Sequence, residues 1–498
     1  MKVTEILNEL SLGNSVAESD SRLDKYFVDT HTFNVLLSGR KDIVAGDKGT
    51  GKTALYRILM NRYRTNPDLK RTEIVTAFNP AGSPVFQQLL AVPVQTEGRY
   101  IAFWKTYFLS LIGNWMQDQT KILQQSSIRR AGYFLDRYGL RTIDTTPNGV
   151  FSRLMKLFPK AKSIEAEFGF NESGIPNMKP KIEFAQATSV QPPDFFGVDY
   201  LEGLRLLAAA LKESDVTVWI ALDRLDEAFL GYPGVEIPAL RALLRTYLDL
   251  QAVSNIRLKL FLRNDLFRKV IAGGFVNLTH INDQKVVIIW EEEDLKNLLI
   301  ARVKDSPRIV EHLSLGHLSN DKAFAKLFPD KISQGEKQST TWNWMMSRLK
   351  DGNGVIAPRN LIDLVEKTRE AQLRSEARTP REFSDGLPLM EADSVRKAHH
   401  LLSEIRVQDT LLAEAPDLVP LIEKFRDKKA EQNTESLSDL LSVSEQDVRS
   451  TVKPLVEIGF LEEFGTSFKV PMLYREGLSI TQGKASGPAD NGDAVNEN

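Results

Sequence analysis

The chain contains no cysteine among its 498 residues. Disulfide bonds, thiol nucleophiles and thiolate-bound metals are therefore excluded. Histidine is also scarce, and its spacing is not that of a metal-ligand set. The six histidines are His31, His280, His312, His317, His399 and His400. We therefore do not expect a transition-metal centre.

Long apolar runs are missing as well. No run approaches the ~18 residues of a membrane-spanning helix, and residues 1–10 lack the apolar centre of a secretory signal. Lys plus Arg number 64 and Asp plus Glu number 66, so the net charge is -2. The chain as a whole does not attract nucleic acid or anionic lipid. We expect a cytoplasmic protein without membrane contact.

The strongest functional pattern lies in the segment 44–61, VAGDKGTGKTALYRILMN. An apolar strand, Asp42 to Ala45, leads into it and a helical pattern follows. The residues that fit the spacing G-x-x-x-x-G-K-[ST] are Gly46, Gly51, Lys52 and Thr53. Strand, glycine-rich loop and helix in this order predict a P-loop that binds a nucleoside triphosphate.

The chemistry of such a loop explains these residue types. Glycines allow positive φ and bring successive N–H groups toward one point, where the helix adds its positive dipole end. Lys52 is expected to reach the β- and γ-phosphates, and the Thr53 hydroxyl to bind Mg²⁺. The predicted cofactors are ATP and Mg²⁺. The predicted nucleotide contacts are Gly46, Asp47, Lys48, Gly49, Thr50, Gly51, Lys52, Thr53 and Ala54.

Acidic residues follow a second apolar run, Val216 to Leu222, which is typical of a strand buried on both faces. Asp223 ends this run and is predicted to hold Mg²⁺. A general base is expected nearby, to activate the attacking water. Asp226 and Glu227 are the two candidates, and we favour Glu227. Both could instead be ordinary acidic residues in the first turn of a helix.

Two arginines are candidates for contact with the phosphates. Arg263 follows the apolar strand Leu258 to Leu262, where a γ-phosphate sensor would lie, although it could equally pair with Asp265 on the surface. Arg359 follows Pro358 at the start of a predicted helix and could approach the phosphates from a lid domain. Either role would place a fixed positive charge beside the transferred phosphate.

Strands that alternate with helices predict an α/β fold with a parallel sheet, including a buried strand at Lys285 to Trp290. The predicted domains are a P-loop ATPase domain at 1–310, a helical lid at 311–390, a winged-helix domain at 391–478 and a disordered tail at 479–498. An insertion at 117–192, helical and then a β-hairpin, is expected at the rim of the sheet. Its basic helices form either a partner-binding surface or an ordinary solvated face.

The winged-helix prediction depends on four segments. They are a short helix at Ser436 to Leu441, a longer helix at Gln446 to Ile458, and two strands at Phe460 to Phe464 and Phe468 to Val470. Acidic residues accompany the basic ones on the long helix and in the wing, and they would repel DNA phosphates. We therefore favour protein contact over DNA binding for this domain.

The combination of GDKGTGKT, LDRLDE, FLRND and APRN resembles the STAND class of P-loop signalling ATPases, relatives of the AAA+ group. The resemblance covers roughly residues 30–478, and its one departure is Arg224, where the pattern has a small residue. It implies that the P-loop strand and the Asp223 strand are neighbours in the sheet. It also implies a helical lid, a winged helix and a nucleotide-dependent switch that oligomerises. Some bacterial members of this class act in anti-phage defence.

Two functions from different classes follow. The first is an ATP-hydrolysing switch, a homo-oligomer that responds to a protein partner or a separately encoded effector. The second is a DNA-binding loader or initiator-like ATPase, in which the basic insertion and the winged helix hold the duplex. A P-loop kinase is disfavoured because no acceptor-binding motif is evident.

Overall fold

We analysed a computed structural model of the chain. It describes residues 1–77, 96–157, 168–170, 176–178, 197–225, 233–272, 274–333, 335, 338–413 and 415–485. The α-helices are α1 Val3–Glu9, α2 His31–Leu37, α3 Lys52–Arg62, α4 Glu97–Gln117, α5 Gln125–Arg137, α6 Pro147–Leu157, α7 Tyr200–Glu213, α8 Pro233–Leu250, α9 Asn264–Ile271, α10 Leu278–Asp283, α11 Glu292–Lys304, α12 Pro307–His312, α13 Asn320–Leu327, α14 Thr341–Leu349, α15 Pro358–Arg378, α16 Ala392–Ile405, α17 Val419–Glu423, α18 Thr434–Leu441, α19 Glu445–Glu457 and α20 Met472–Arg475.

The β-strands are β1 Ile43–Gly46, β2 Thr72–Thr76, β3 Phe168–Phe170, β4 Pro176–Met178, β5 Thr217–Leu222, β6 Ile256–Arg263, β7 Lys285–Val287, β8 Lys429–Asn433, β9 Glu462–Phe464, β10 Ser467–Lys469 and β11 Thr481–Lys484. A π-helical segment, Arg406–Leu412, follows α16 directly. Among the described residues, no helix has the length and apolar character needed to cross a membrane.

The chain divides into two compact units. The sheet unit comprises residues 32–45 and 55–287. The lid unit comprises residues 1–31, 46–54 and 288–498, and it therefore contains the P-loop. Helix α3 begins in the lid unit at Lys52 and continues in the sheet unit from Leu55.

The sheet unit is built on a parallel five-stranded sheet in the order β2-β5-β6-β1-β7. This confirms the predicted α/β P-loop nucleoside-triphosphatase fold. The P-loop strand and the Asp223 strand are not neighbours, so that expectation is wrong: β6, which ends at Arg263, lies between β1 and β5. Strand order is set by the crossover connections, and apolar runs alone do not reveal it.

The predicted strand at Lys285 to Trp290 is shorter and less buried than expected. Only β7, Lys285–Val287, pairs with β1, and it forms an edge of the sheet. Val287 and Ile289 are 36% and 66% exposed. An apolar run therefore did not distinguish an edge strand from a buried one.

Helices α5 and α6, in the first part of the predicted insertion, belong to the main core of the sheet unit. Phe134 and Leu135 of α5 are buried in the same cluster as α4 and α7. Gly203 of α7 allows this approach, because a methyl group there would lie 2.4 Å from the ring of Phe134.

Of the predicted hairpin, β3 and β4 pair antiparallel, with Phe168 opposite Met178. Ile164, Ala166, Asn171, Gly174, Ile182 and Phe184, named for the rest of that hairpin, lie outside the described residues.

The lid helices extend beyond the predicted limits of 311–390. One apolar cluster joins α1 to α11, α14, α15 and α16, from Val3 to Leu402. Helix α11 was predicted within the ATPase domain and α16 within the C-terminal domain. Both pack in the lid core because Leu299 of α11 and Val395 and Leu402 of α16 are fully buried there.

The C-terminal domain has its own core from Val407 to Ile480. Asn433 caps α18 and Ser444 caps α19 through their side chains. Strands β11, β8, β10 and β9 form a sheet in that order. Residues 481–484, predicted as part of a disordered tail that begins at 479, form β11, which pairs in parallel with β8 after the buried Ile480. Backbone pairing lets this polar segment form a strand without apolar side chains.

Candidate functional site

The P-loop adopts the conformation that its glycines were expected to allow. Gly49 has φ +76° and Gly51 has φ +102°, both in the region that side-chain-bearing residues rarely adopt. The Thr50 hydroxyl donates to the carbonyl oxygen of Asp47 at 2.7 Å and closes the turn. Lys52 Nζ donates to the carbonyl oxygens of Gly46 and Asp47, each at 3.0 Å. The ammonium group of Lys52 is therefore held over the loop.

Two neighbours fix the shape of the loop. Trp290 Nε1 donates to the carbonyl oxygen of Thr50 at 2.8 Å. A methyl group on Gly46 would lie 2.5 Å from Thr50 Oγ1 and 3.2 Å from Ile288 Cδ1, so a side chain does not fit there. Trp290 was predicted only as the end of a strand, and no sequence pattern indicated its contact with the loop.

The start of α15 lies directly against the P-loop. A methyl group on Gly49 would be 3.3 Å from Ala357 Cβ, 3.4 Å from Arg359 Cβ and 3.9 Å from Arg359 Cδ. Nε of Arg359 is buried without a hydrogen-bond partner among the described residues. The structure therefore brings Arg359 to the loop from the lid, where the sequence predicted a phosphate contact.

A turn at 351–355 precedes α15 and holds a partly buried carboxylate. Asp351 Oδ1 accepts hydrogen bonds from the backbone N–H groups of Asn353 and Val355, both at 2.9 Å. Burial raises the pKa of Asp351 to about 6, the two N–H donors lower it, and the nearby charge of Asp47 raises it further. Asp351 therefore lies within electrostatic reach of the P-loop.

The same turn contacts the C-terminal domain. The N–H of Gly352 donates to the carbonyl oxygen of Gly459 at 2.6 Å, just after the end of α19. A methyl group on Gly352 would lie 2.5 Å from the carbonyl oxygen of Leu461. Residues 351–359 thus touch the P-loop at one end and the C-terminal domain at the other.

Asp223 is 3% exposed at the end of β5, as predicted for a strand-end carboxylate. Burial and then the charge of Asp223 raise the pKa of Tyr56, which lies one turn into α3. Tyr56 also stacks edge-on against Phe261 of β6 at 5.6 Å. The carboxylate thus faces the P-loop helix. Arg224 has φ +57°, so the chain turns sharply after Asp223.

The two candidates for the general base, Asp226 and Glu227, lie outside the described residues. Their roles remain predictions from the sequence.

Arg263 ends β6 and forms a two-point ion pair with Asp265, with both nitrogen–oxygen distances at 3.0 Å. Burial raises the pKa of Asp265, but Arg263 and the N–H of Leu266 lower it to a net value below the usual range. The pairing with Asp265 is therefore present, and a role of Arg263 at the phosphate stays a prediction.

Several of the basic groups proposed for DNA contact are paired with carboxylates. In the insertion, Arg130 pairs with Glu213 and Arg137 with Glu202. On α19, Arg449 pairs with Glu463 at 3.0 Å and also donates to the carbonyl oxygen of Gly465. These pairs reduce the positive charge that either surface presents.

Over the part of the chain that the structure describes, no cluster of three or more His, Asp or Glu side chains could hold a metal ion. The oxygen donors Thr53 and Asp223 are of the type that Mg²⁺ prefers.

No protein-family model matches the chain, and no curated protein matches it. Three solved structures match the chain with low TM-scores. The Walker-type ATPase PABY2304 of Pyrococcus abyssi has a TM-score of 0.38 and 11% identity, over 91% of this chain and 96% of that chain. The ORC2 protein of Aeropyrum pernix, in ADPNP–ADP complexes, has a TM-score of 0.33 and 15% identity, over 93% and 91%. The ORC1 protein of Aeropyrum pernix, in complex with DNA, has a TM-score of 0.30 and 14% identity, over 90% and 91%. We take the fold from the sheet order and the loop of this chain itself.

Proposed function

We propose that this protein is an ATP-binding and ATP-hydrolysing switch that couples its nucleotide state to partner binding or oligomerisation. The observation that carries the proposal is the contact of Ala357 and Arg359 with Gly49 of the P-loop. A nucleotide in this loop would meet the lid helix α15 as well as the loop. Binding energy could then be used to select one arrangement of the lid.

Each residue has a distinct part in the proposed reaction. Lys52 neutralises the β- and γ-phosphates, and the backbone N–H groups of the loop cradle them. Thr53 and Asp223 would hold Mg²⁺, which shields the phosphate charge when bound. Glu227 accepts the proton of the attacking water, with Asp226 as the alternative base. Arg359, and Arg263 if it leaves Asp265, stabilise charge on the transferred phosphate.

The C-terminal domain is the proposed output of the switch. Its helices α18 and α19 and the β9–β10 hairpin have the order of a winged helix. The 351–355 turn joins it to α15, which supports communication with the P-loop. The proposed partner is a protein, a second copy of the chain or a separately encoded effector. A role in anti-phage defence rests only on the resemblance to the STAND class.

A variant that binds ATP without hydrolysing it tests the switch. Glu227→Gln keeps the shape of the side chain and removes its basicity, so it should retain ATP and accumulate the ATP-bound form. We expect its mass or shape in solution, measured by light scattering and small-angle scattering with ATP and Mg²⁺, to differ from that with ADP. The matched variant Asp226→Asn should hydrolyse ATP as the wild type does.

Two results would change this account. If Asp226→Asn retains ATP while Glu227→Gln hydrolyses it normally, Asp226 is the base. If both variants bind ATP and neither changes mass or shape, the protein is a plain hydrolase and not a switch.

The DNA-binding alternative uses the same ATPase site. It requires cations on α19 or in the insertion to reach phosphates, whereas Arg130, Arg137 and Arg449 pair with carboxylates. We therefore place protein contact first, and the salt dependence of duplex binding separates the two functions.

A further inference from the structure

Arg359 and Asp363 lie four residues apart on α15, on the same face of the helix and one turn from each other. Opposite charges at this spacing attract, and Asp363 is the carboxylate nearest in sequence that could form an ion pair with Arg359. The two residues do not form this ion pair. Asp363 Oδ2 instead accepts a hydrogen bond from Arg406 Nη2.

Arg406 and Asp363 form a largely buried pair. Their side chains are 10% and 25% exposed. An ion pair in such a place is sensitive to the loss of one partner, because the remaining charge is left without compensation. Arg406 also carries a buried Nε that has no hydrogen-bond partner among the described residues.

Arg359 remains available for another anion. It forms no ion pair with any residue that the structure describes, and its Nε is buried and unpartnered. Its Cβ and Cδ lie against Gly49 of the P-loop. Burial lowers the pKa of Arg406, Asp363 raises it, and the charge of Arg359 lowers it, so the two guanidinium groups are close enough to repel each other.

We propose that Arg406 is a positioning residue: by occupying Asp363, it keeps Arg359 available for the phosphates of the nucleotide. If Arg406 withdraws, Asp363 can capture Arg359 and pull it away from the loop. The inference rests on the proposed function, because it assigns Arg359 a nucleotide ligand. It adds Arg406 as a residue that regulates the contact of Arg359 with the nucleotide, and Arg406 lies outside the P-loop motif.

The position of Arg406 makes this exchange a link to the C-terminal domain. Arg406 follows the last residue of α16 and opens the π-helical segment. The next residue, Val407, is fully buried in the C-terminal core. A shift of that domain would move Arg406 relative to α15 and change the affinity for ATP. By reciprocity, ATP would favour the arrangement in which Arg406 holds Asp363.

The test is a mutant cycle on the full chain, with dissociation constants for ATP and ADP measured by calorimetry in the presence of Mg²⁺. Arg406→Gln should weaken ATP binding about five- to tenfold, the lower part of the usual range for coupled sites. Adding Asp363→Asn should restore affinity to within about threefold of the wild type, because no carboxylate is left to capture Arg359. In an Arg359→Ala background, Arg406→Gln should have no further effect.

Controls separate positioning from stability. Arg369→Gln removes an arginine from the same helix that pairs with Glu366, and it should leave ATP affinity unchanged. Arg406→Lys keeps the charge, so it should retain most of the affinity for ATP. It is the variant to measure if Arg406→Gln folds poorly. Melting temperatures report the stability of each variant.

Three results would overturn the inference while the wild type still binds ATP. The first is failure of Asp363→Asn to rescue Arg406→Gln. The second is an equal loss of binding on Arg406→Gln when Arg359 is already absent. The third is an Arg359→Ala variant that binds ATP as tightly as the wild type. Failure of the proposed function looks different, since the wild type itself would then not bind ATP.

Discussion

Asp351 is the partly buried carboxylate of the turn before α15; it lies close to Gly459 of the C-terminal domain and within electrostatic reach of Asp47 of the P-loop. Its pKa is raised to about 6, first by burial. A raised pKa in the folded state means that the folded protein binds the proton of this acid more tightly than the unfolded chain does. The stability that this group contributes is fully present below its unfolded pKa, 3.8, and is lost as pH rises through about 6.

We predict that Asp351→Asn removes this pH dependence. The amide keeps the oxygen that accepts from Asn353 and Val355, and it does not ionise. Between pH 4 and 6 the wild type should lose about 1–3 kcal/mol relative to the variant, from a shift of about two pKa units. Urea unfolding at both pH values measures the difference, with the exposed Asp330→Asn as control. Equal pH dependence of the wild type and Asp351→Asn would contradict the assignment.

At the residue scale, the sequence revealed only those site residues that belong to a contiguous motif. Lys52 and Thr53 are recognisable because spacing alone defines a P-loop. Asp363 and Arg406 carry no such pattern, because they meet through the packing of separate helices. Asp351 lies in a turn that no motif marks. Lys259 is a charged residue whose burial the sequence did not reveal. It lies fully buried in a strand that was predicted as apolar, and it pairs with Asp42 at 2.7 Å.

The 351–355 turn is the element that joins α15 to the C-terminal domain. Gly352 makes its close approach to Gly459 and Leu461 without a positive φ. Glycine is therefore needed at position 352 because there is no space for a side chain, and not because of its backbone conformation. A side chain at this position would disturb only the contact with the C-terminal domain.

We predict that Gly352→Ala destabilises the protein by about 1–3 kcal/mol, the usual cost of inserting a methyl group into a filled site. The added Cβ would lie 2.5 Å from the carbonyl oxygen of Leu461, so the turn must move. Gly316→Ala is the matched control, because a methyl group there would meet nothing within 4 Å. Thermal unfolding of both variants checks the difference. Equal stability of the two would show that the contact is not maintained in solution.

At the scale of elements, apolar periodicity predicted α19 to within about one residue at each end. Strands β8 and β11 escaped prediction, because their residues are polar and their pairing partners are distant in sequence. Backbone hydrogen bonds stabilise such strands, and these leave little trace in the pattern of side chains. The packing of α11 and α16 was not predictable for a related reason: both helices are amphipathic, but the sequence does not show which core they join.

For the whole molecule, the net charge is -2. On α19, one of the predicted DNA-contacting surfaces, the basic residues have acidic neighbours. The side chains of Arg449 and Lys453 on α19 are 71% and 74% exposed, and each has an acidic neighbour, Glu463 and Glu457. Exposed pairs of this kind contribute little to stability, but they lower the local positive potential.

We predict that the full chain binds duplex DNA only at non-specific levels, with Kd of ~10⁻⁴ to 10⁻⁶ M at physiological salt. Replacing Arg449 and Lys453 together by Ala should leave the salt dependence of this binding unchanged. Fluorescence anisotropy with a labelled duplex at several salt concentrations measures both quantities. Nanomolar, sequence-selective binding, or a salt slope reduced by about two, would favour the loader function instead.

The overall architecture was predictable where the chain alternates strand and helix, which fixed a parallel α/β sheet. The position of β6 between β1 and β5 was not, because strand order depends on crossovers that leave no local signal. The correct order places the end of β6, with Arg263, between the strands that end at the P-loop and at Asp223.

The central claim is that the loop at 46–54 binds ATP through Lys52. We predict that Lys52→Ala weakens ATP binding about ten- to a hundredfold, the loss expected for charge-assisted hydrogen bonds to phosphate. Its circular dichroism and melting temperature should remain those of the wild type, because Lys52 is on the surface of the loop and not in the core. The exposed Lys70→Ala is the matched control and should bind ATP normally. Calorimetric titration with ATP and Mg²⁺ decides the question: a folded Lys52→Ala protein that binds ATP as tightly as the wild type would contradict the account.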